Sequence, residues 1–471
     1  MRIILLAILL SSAAIYGQKS PAGAVLPTKQ QLAWHEMEFY FFVHFGPNTF
    51  TDKEWGLGDE PEDLFNPTQL NCEQWCRVAK AAGAKGIIIT AKHHDGFCLW
   101  PSKYSKHTVR ESKWKNGKGD VLRELSTACK KYGLKFGVYL SPWDRNHPKY
   151  GTPAYNDVFV NMMKEVFQNY GPIWEFWWDG ANGEGPNGKK QQYDWKKFEK
   201  TVRQLSPTTV VFSDIGPDIR WVGNEKGFAA KTNWNYLDTA GFKRGAGAPP
   251  SDTLQQGNVN GKNWIPAECD VSIRPGWFYH AKEDDAVKSP EELFDLYLKS
   301  VGRGANLLLN VPPDRRGLIN EHDSLSLLRF QKLRKESFQK NLAAAGKISV
   351  SAVATTRSTL KLNDQNASTY EMTSKANLTL VKFDKPTAVN CVILRENLAN
   401  GQNTKSFRIL LMDKNNNLIK EVKGTTMGRK RILSFPSIEV QSIGLAVDEM
   451  KSNTRIAEIE VYHIDETLVE K

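Results

Sequence analysis

From about residue 27 to residue 342 the chain alternates short apolar runs with longer stretches of helical period, and no other feature constrains the fold as tightly. Seven runs read as strands: 39–44, 86–90, 135–140, 173–178, 209–213, 269–273 and 306–311, most of them rich in β-branched and aromatic residues. Between them, 73–82, 120–132, 156–170, 194–205 and 290–302 carry helical period, several opened by Asp, Asn or Pro and closed by Gly. A β–α repeat of this length, with no GxGxxG after its first strand, predicts a TIM-like (β/α) barrel rather than an open doubly wound sheet. Seven strands instead of eight imply an irregular barrel or one strand that the pattern hides. After Ala345 the helical period stops and short β-rich runs follow one another (ISVSAVA, NLTLVKF, VNCVILREN, FRILLMD, IAEIEVYH), which predicts a C-terminal all-β sandwich. The expected division is therefore a barrel over 18–345 and a sandwich over 346–471.

Composition narrows the class. With 471 residues, 40% hydrophobic and 24% charged, the chain is neither disordered nor collagenous, and it has the length of two or three domains. Its 14 Trp, 14 Tyr and 22 Phe suit large cores and flat apolar ligand faces such as those of sugars. The apolar run at residues 3–14 is far shorter than the roughly 20 residues of a membrane span. Arg2 before it and small residues near position 17 have the order of a secretory signal over 1–17, which implies a periplasmic or secreted protein; a buried N-terminal helix is the alternative. Six Cys are too few for a disulfide framework. Cys72 and Cys76 stand four apart on one expected helix, and no paired CxxC marks a zinc module. The formal charge of +11 is spread along the whole chain, so it reads as a solvated surface and not as a nucleic-acid footprint.

In a barrel of this kind reactive side chains project from the C-terminal ends of the strands. Polar residues that appear where an apolar run stops are therefore candidates: His44, the His93-His94-Asp95 cluster, Tyr139 with Asp144, and Asp179. Asp179 ends the run Trp174-Glu175-Phe176-Trp177-Trp178, where a carboxylate would stand among indoles, as glycoside hydrolysis requires of its nucleophile or base. Its partner acid is open between Glu225, in a glycine-bearing loop after the fifth run, and Glu175, Glu54 and Glu268. Adjacent histidines on an extended segment point opposite ways, and there is no HExxH or HxH, so sugar-hydroxyl recognition fits His93 and His94 better than a metal.

The segments VHFGPNTF, KEWG, TAKHHDGFCLWPS, KFGVYLSPWD, EFWWDGA, RWVGNEKG, SIRPGWFYH and ANLLLNVPPDRRG, in this order over about 27–342, resemble the α-L-fucosidases of glycoside hydrolase family 29. The resemblance implies a retaining exo-α-L-fucosidase without metal or other cofactor, with Asp179 as nucleophile. RWVGNE is similar to the subfamily acting on α-1,3/1,4-linked fucose, and that comparison makes Glu225 the acid/base. It further implies a fucose pocket of His44, Glu54, Trp55, His93, His94, Tyr139, Trp177 and Trp277, with Lewis-type branched glycans as partners. The closing RIAEIEVYH run resembles discoidin-like carbohydrate-binding domains, with Arg395, Glu396 and Asn397 as candidate glycan contacts. Two rival readings remain: a glycan-binding protein that has lost catalysis, and a barrel glycosidase for another sugar.

Overall fold

The computed structural model describes residues 24–245, 249–352, 355–359 and 361–470, and the expected signal segment lies outside them. Eight strands close into a barrel: β1 (Phe39–Val43), β2 (Gly86–Lys92), β3 (Lys135–Leu140), β4 (Glu175–Trp177), β5 (Val210–Ser213), β6 (Ile219–Trp221), β7 (Ala267–Ser272) and β8 (Asn306–Asn310). Each pairs in parallel with its neighbours, so every C-terminal end opens onto one rim.

The strand that the sequence pattern hides is β6. It has three residues, follows β5 after only five intervening residues, and has no helix before it, so neither length nor alternation signals it. Arg220 and Trp221, expected in a loop, belong to this strand. Between β6 and β7 the usual barrel helix is replaced by a long excursion holding a two-residue ribbon (Tyr236–Leu237 with Asn263–Trp264) and the short helix Ser251–Gln256. Arg220, fully buried, ties this excursion down. Its guanidinium donates to the carbonyls of Leu254 (2.8 Å), Ile265 and Trp234 (3.0 Å) and to Asn233 Oδ1 (3.1 Å).

The helices that the sequence predicts are present, each with a physical start or stop. Asp120 caps Val121–Tyr132 by accepting from the Arg123 N–H, and Gly133 ends it at φ 67°, a conformation that costs glycine little. Ser289 and Glu292 form a capping box on Pro290–Lys299. The longest helix, Glu321–Ser337, escapes the pattern because its inward face is partly polar (Asp323, Ser326) while Leu325 and Leu328 are exposed. Outward-facing strand residues such as Phe41, Ile87, Val138 and Phe176 pack under the helices, and Tyr40, Phe42, Tyr139, Trp177, Phe212 and Leu308 fill the barrel interior.

The described residues after 346 form one antiparallel eight-stranded sheet, whose longest strands, Leu378–Glu396 and Arg431–Met450, pair through register shifts at Lys382/Thr387 and Val389/Cys391. The sheet grips the barrel. Lys430 Nζ lies 2.8 Å from Glu38, Arg395 bridges Glu38 and Glu460, and Gln402 exchanges hydrogen bonds with the Asn233 and Asn235 backbone. The three candidate glycan contacts have other employment. Arg395 is in that interface, Glu396 is buried against the Asn403 and Thr404 N–H groups, and Asn397 caps the turn Leu398–Asn400.

At the end of β2, Lys92 is fully buried with Asp144 (3.3 Å) and also donates to the Trp143 carbonyl (3.0 Å), fixing the loop after β3. Replacing it by Met leaves Asp144 buried without its counter-charge. Lys92→Met should therefore lower stability by about 3–5 kcal/mol, read as a reduced urea midpoint; an unchanged midpoint would mean that water reaches Asp144.

Candidate active site

Asp179 stands two residues beyond β4 and is about one-quarter exposed. Tyr139 Oη donates to its Oδ2 (2.9 Å) and the Ala181 N–H to its Oδ1 (2.7 Å), so both carboxylate oxygens are aimed before any ligand arrives. Beneath it is a stack of rings. Tyr139 lies on Trp177 with centroids 5.3 Å apart, and Trp177 lies on Phe212 at 3.9 Å with planes 9° apart. Of the indoles in the Trp174–Trp178 run, Trp177 alone joins this stack: Trp178 is buried beneath the helices, and Trp174 packs at the far end of the barrel on Tyr40.

The Trp177 indole N–H donates to Glu268 Oε1 (2.9 Å), whose other oxygen takes the Tyr40 hydroxyl. Glu175 lies beside Glu268 and accepts from Trp34 Nε1 (3.0 Å). Burial and the mutual proximity of the two carboxyls push Glu175 well above the ordinary range, and burial raises Glu268 too. Both are fully buried inside the barrel, where no leaving oxygen reaches them. Glu54 is also committed: it accepts from the Trp277 N–H (2.7 Å), the Phe278 N–H (3.2 Å) and His280 Nε2 (2.6 Å), pinning the loop after β7.

That loop delivers Trp277 to the rim. Its ring packs on His44 at 5.0 Å and its indole N–H donates to Glu225 (3.3 Å), so the otherwise exposed Glu225 is tethered to the pocket wall. Glycines at 223 and 227, both at positive φ, make the tight path that carries Glu225. His44 is locked by Asn310, whose Nδ2 donates to the Trp277 carbonyl (2.7 Å) and to Ser272 Oγ (2.9 Å). Asn310 Oδ1 must then accept from His44 Nδ1 (2.8 Å), which leaves Nε2 as a bare acceptor.

His93 and His94 pack ring against ring at 4.2 Å. His94 Nδ1 meets Ser141 Oγ (2.8 Å), and its Nε2 is 3.7 Å from Asp179 Oδ2. Trp55, 54% exposed, sets its edge on His94 and Trp143 at the mouth. Burial pushes His44 down to about 3 and His94 down to about 4, the latter against the opposing pull of Asp179, and it holds His93 well below the ordinary range. All three are neutral rings that offer hydrogen bonds without charge. Among the described residues no group of three or more His, Cys, Asp or Glu is arranged to hold a metal ion.

Two strand-end candidates are structural. Asp144 belongs to the Lys92 pair, and Asp95 holds the Phe97 N–H (2.7 Å) and Asn48 inside the protein. Two carboxyls at the rim are missing from the sequence reading. Asp270 accepts from Trp221 Nε1 (2.8 Å) and is raised well above its usual value by burial and by the charge of Glu225. Asp214, the first residue after β5, lies against Gly180. Asp214 follows a strand end and could have been found from it, but a Ser-Asp turn looks ordinary; Asp270 lies within β7, where the strand-end rule does not look.

A barrel whose rim gathers carboxyl groups around neutral histidines and indoles, one of them exposed, defines a glycoside hydrolase site. The alpha-L-fucosidase family model matches residues 29–332. Alpha-L-fucosidase 1 of Arabidopsis thaliana is 40% identical over 447 residues, covering 93% of this chain and 87% of the relative. The structure of a putative alpha-L-fucosidase from Bacteroides thetaiotaomicron superposes with a TM-score of 0.88 at 36% identity, over 96% of this chain and all of the other. A Ruminococcus gnavus glycoside hydrolase 29 fucosidase in complex with fucose gives 0.85 at 31% identity, over 96% of this chain and 98% of the other. The chain belongs to the alpha-L-fucosidases of glycoside hydrolase family 29.

The depressed histidines have a thermodynamic consequence. Between about pH 4 and 6.5 the unfolded chain protonates His94 while the folded chain does not, so this residue destabilises the fold increasingly as pH falls through that window. Relative to His94→Gln, the wild type should lose on the order of 2 kcal/mol on going from pH 7.5 to pH 5, measured by urea unfolding of both proteins. A pH-independent difference would show that His94 titrates normally.

Proposed function

We propose that the chain is a retaining exo-α-L-fucosidase that releases terminal fucose from α-1,3/1,4-branched, Lewis-type glycans by double displacement. Asp179 attacks the anomeric carbon as the bond to the leaving sugar oxygen breaks, and Glu225 gives that oxygen its proton. A fucosyl ester on Asp179 results. Glu225 then takes a proton from water, the water oxygen attacks the same carbon, and the ester bond breaks to return Asp179 and free fucose with its configuration retained. Export to the periplasm or the medium, inferred from the residue 1–17 segment, would bring the enzyme to extracellular glycans.

The observation that carries this reading is the Tyr139–Asp179 hydrogen bond facing a pocket whose far wall, Trp277, holds Glu225. Burial of Glu175 and Glu268 and the commitment of Glu54 to the Trp277 loop favour Glu225, the one solvent-exposed glutamate among the four candidates. Fucose is a 6-deoxy sugar, so it suits a wall of rings for its methyl together with fixed acceptors such as His44 Nε2 for its hydroxyls.

Asp179→Asn should cut turnover of an activated aryl α-L-fucoside by about a thousandfold or more, and unchanged turnover would remove Asp179 as nucleophile. Glu225→Ala should lose far more on natural leaving groups than on activated ones, with azide restoring part of the rate; equal losses without rescue would move the acid/base role elsewhere. The anomer first released, followed by proton NMR, should be α. A β product would require the two carboxyls about 6.5–9.5 Å apart instead of about 5–5.5 Å. Comparing release from α-1,2- and α-1,3/1,4-linked trisaccharides tests the linkage.

A further inference from the structure

The rim of the barrel places Asp179 after β4 and Glu225 after β6, and the strand between them, β5, also ends in a carboxylic acid, Asp214. Its carboxyl rests on the backbone of Gly180, next to Asp179; a Cβ on Gly180 would overlap it, so the absence of a side chain there is what admits Asp214 to the rim. The side chain is partly buried. Among the described residues its carboxyl accepts from its own backbone N–H and from no other residue. Burial and the neighbouring Asp179 charge push it up to about 7, so near neutral pH it offers a donor as well as an acceptor.

Its position on the ring of strands says what it would meet. His44, His93, His94 and Tyr139 stand on β1 to β3 or just after them, and β5 lies diametrically across the barrel from β1. Given the proposed roles of Asp179 and Glu225, on which this inference rests, the glycosidic bond points from the histidine side toward the β6 loop. A leaving sugar that extends toward that loop passes the end of β5, the strand between β4 and β6. We propose that Asp214 is a specificity-determining residue that hydrogen-bonds a hydroxyl of the leaving saccharide, favouring fucosylated oligosaccharides over fucosides whose leaving group carries no hydroxyl.

The experiment compares Asp214→Ala and Asp214→Asn with the wild type on an α-1,3/1,4-fucosylated trisaccharide and on 4-nitrophenyl α-L-fucoside, with kcat and KM separated. For Asp214→Ala the ratio of trisaccharide to aryl kcat/KM should fall about tenfold or more, while Asp214→Asn, which keeps a donor and an acceptor, should retain most of the ratio. Aryl turnover in each variant reports that the pocket is folded. Parallel losses on both substrates would show that Asp214 acts on Asp179 and overturn the proposal, as would an unchanged ratio in both variants. A wild type that releases fucose from neither substrate would instead overturn the functional reading.

Discussion

The stacked plane of Trp177 is the support on which the candidate nucleophile depends. The ring is clamped between Phe212 and Tyr139, its N–H is held by Glu268, and Tyr139 passes that fixed position on to Asp179. Taking two glutamates into the interior of a barrel is costly unless their lone pairs find donors. Here Trp34, Tyr40 and Trp177 supply them, and the proximity of Glu175 and Glu268 favours keeping a proton between the two. A polar cluster at the centre of an apolar stack thus sets ring orientations that dispersion alone would leave soft.

The irregular side of the barrel serves the same end. Five residues join β5 to β6 without a helix, so three successive strand ends bring Asp179, Asp214 and Glu225 to one stretch of rim. The excursion that follows β6 replaces a packed helix with a loop, and a loop of that length needs anchoring. Arg220 anchors it from inside and the C-terminal sheet from outside, through Gln402 on the Asn233 and Asn235 backbone and through Thr426, which accepts from the Asn233 N–H. The sheet, the excursion and the loop that carries Glu225 are therefore mechanically continuous.

Opposite this rigid arc, the pocket wall is built from neutral histidines. Burial strips the charge from His44, His93 and His94, and partners such as Asn310 decide which nitrogen is free. Rings of this kind offer hydrogen bonds without charge and leave the charge to the carboxylates.

The sequence by itself determined the barrel, the sheet that follows it and most of the rim, because strand and helix periods are local and catalytic side chains in such barrels sit where apolar runs stop. The rim positions of Asp179, His44, His94 and Tyr139 were legible for that reason. The tertiary structure alone decided which carboxyls are available: Glu175, Glu54, Glu268 and Glu225 look alike in a string of letters, and burial or commitment to a loop is a property of what the chain folds against. It alone revealed β6, too short to have a period of its own, and the approach of Asp214 to Gly180, which joins residues 34 positions apart across neighbouring strands. Periodicity is written residue by residue, whereas desolvation and contact exist only after distant segments have met.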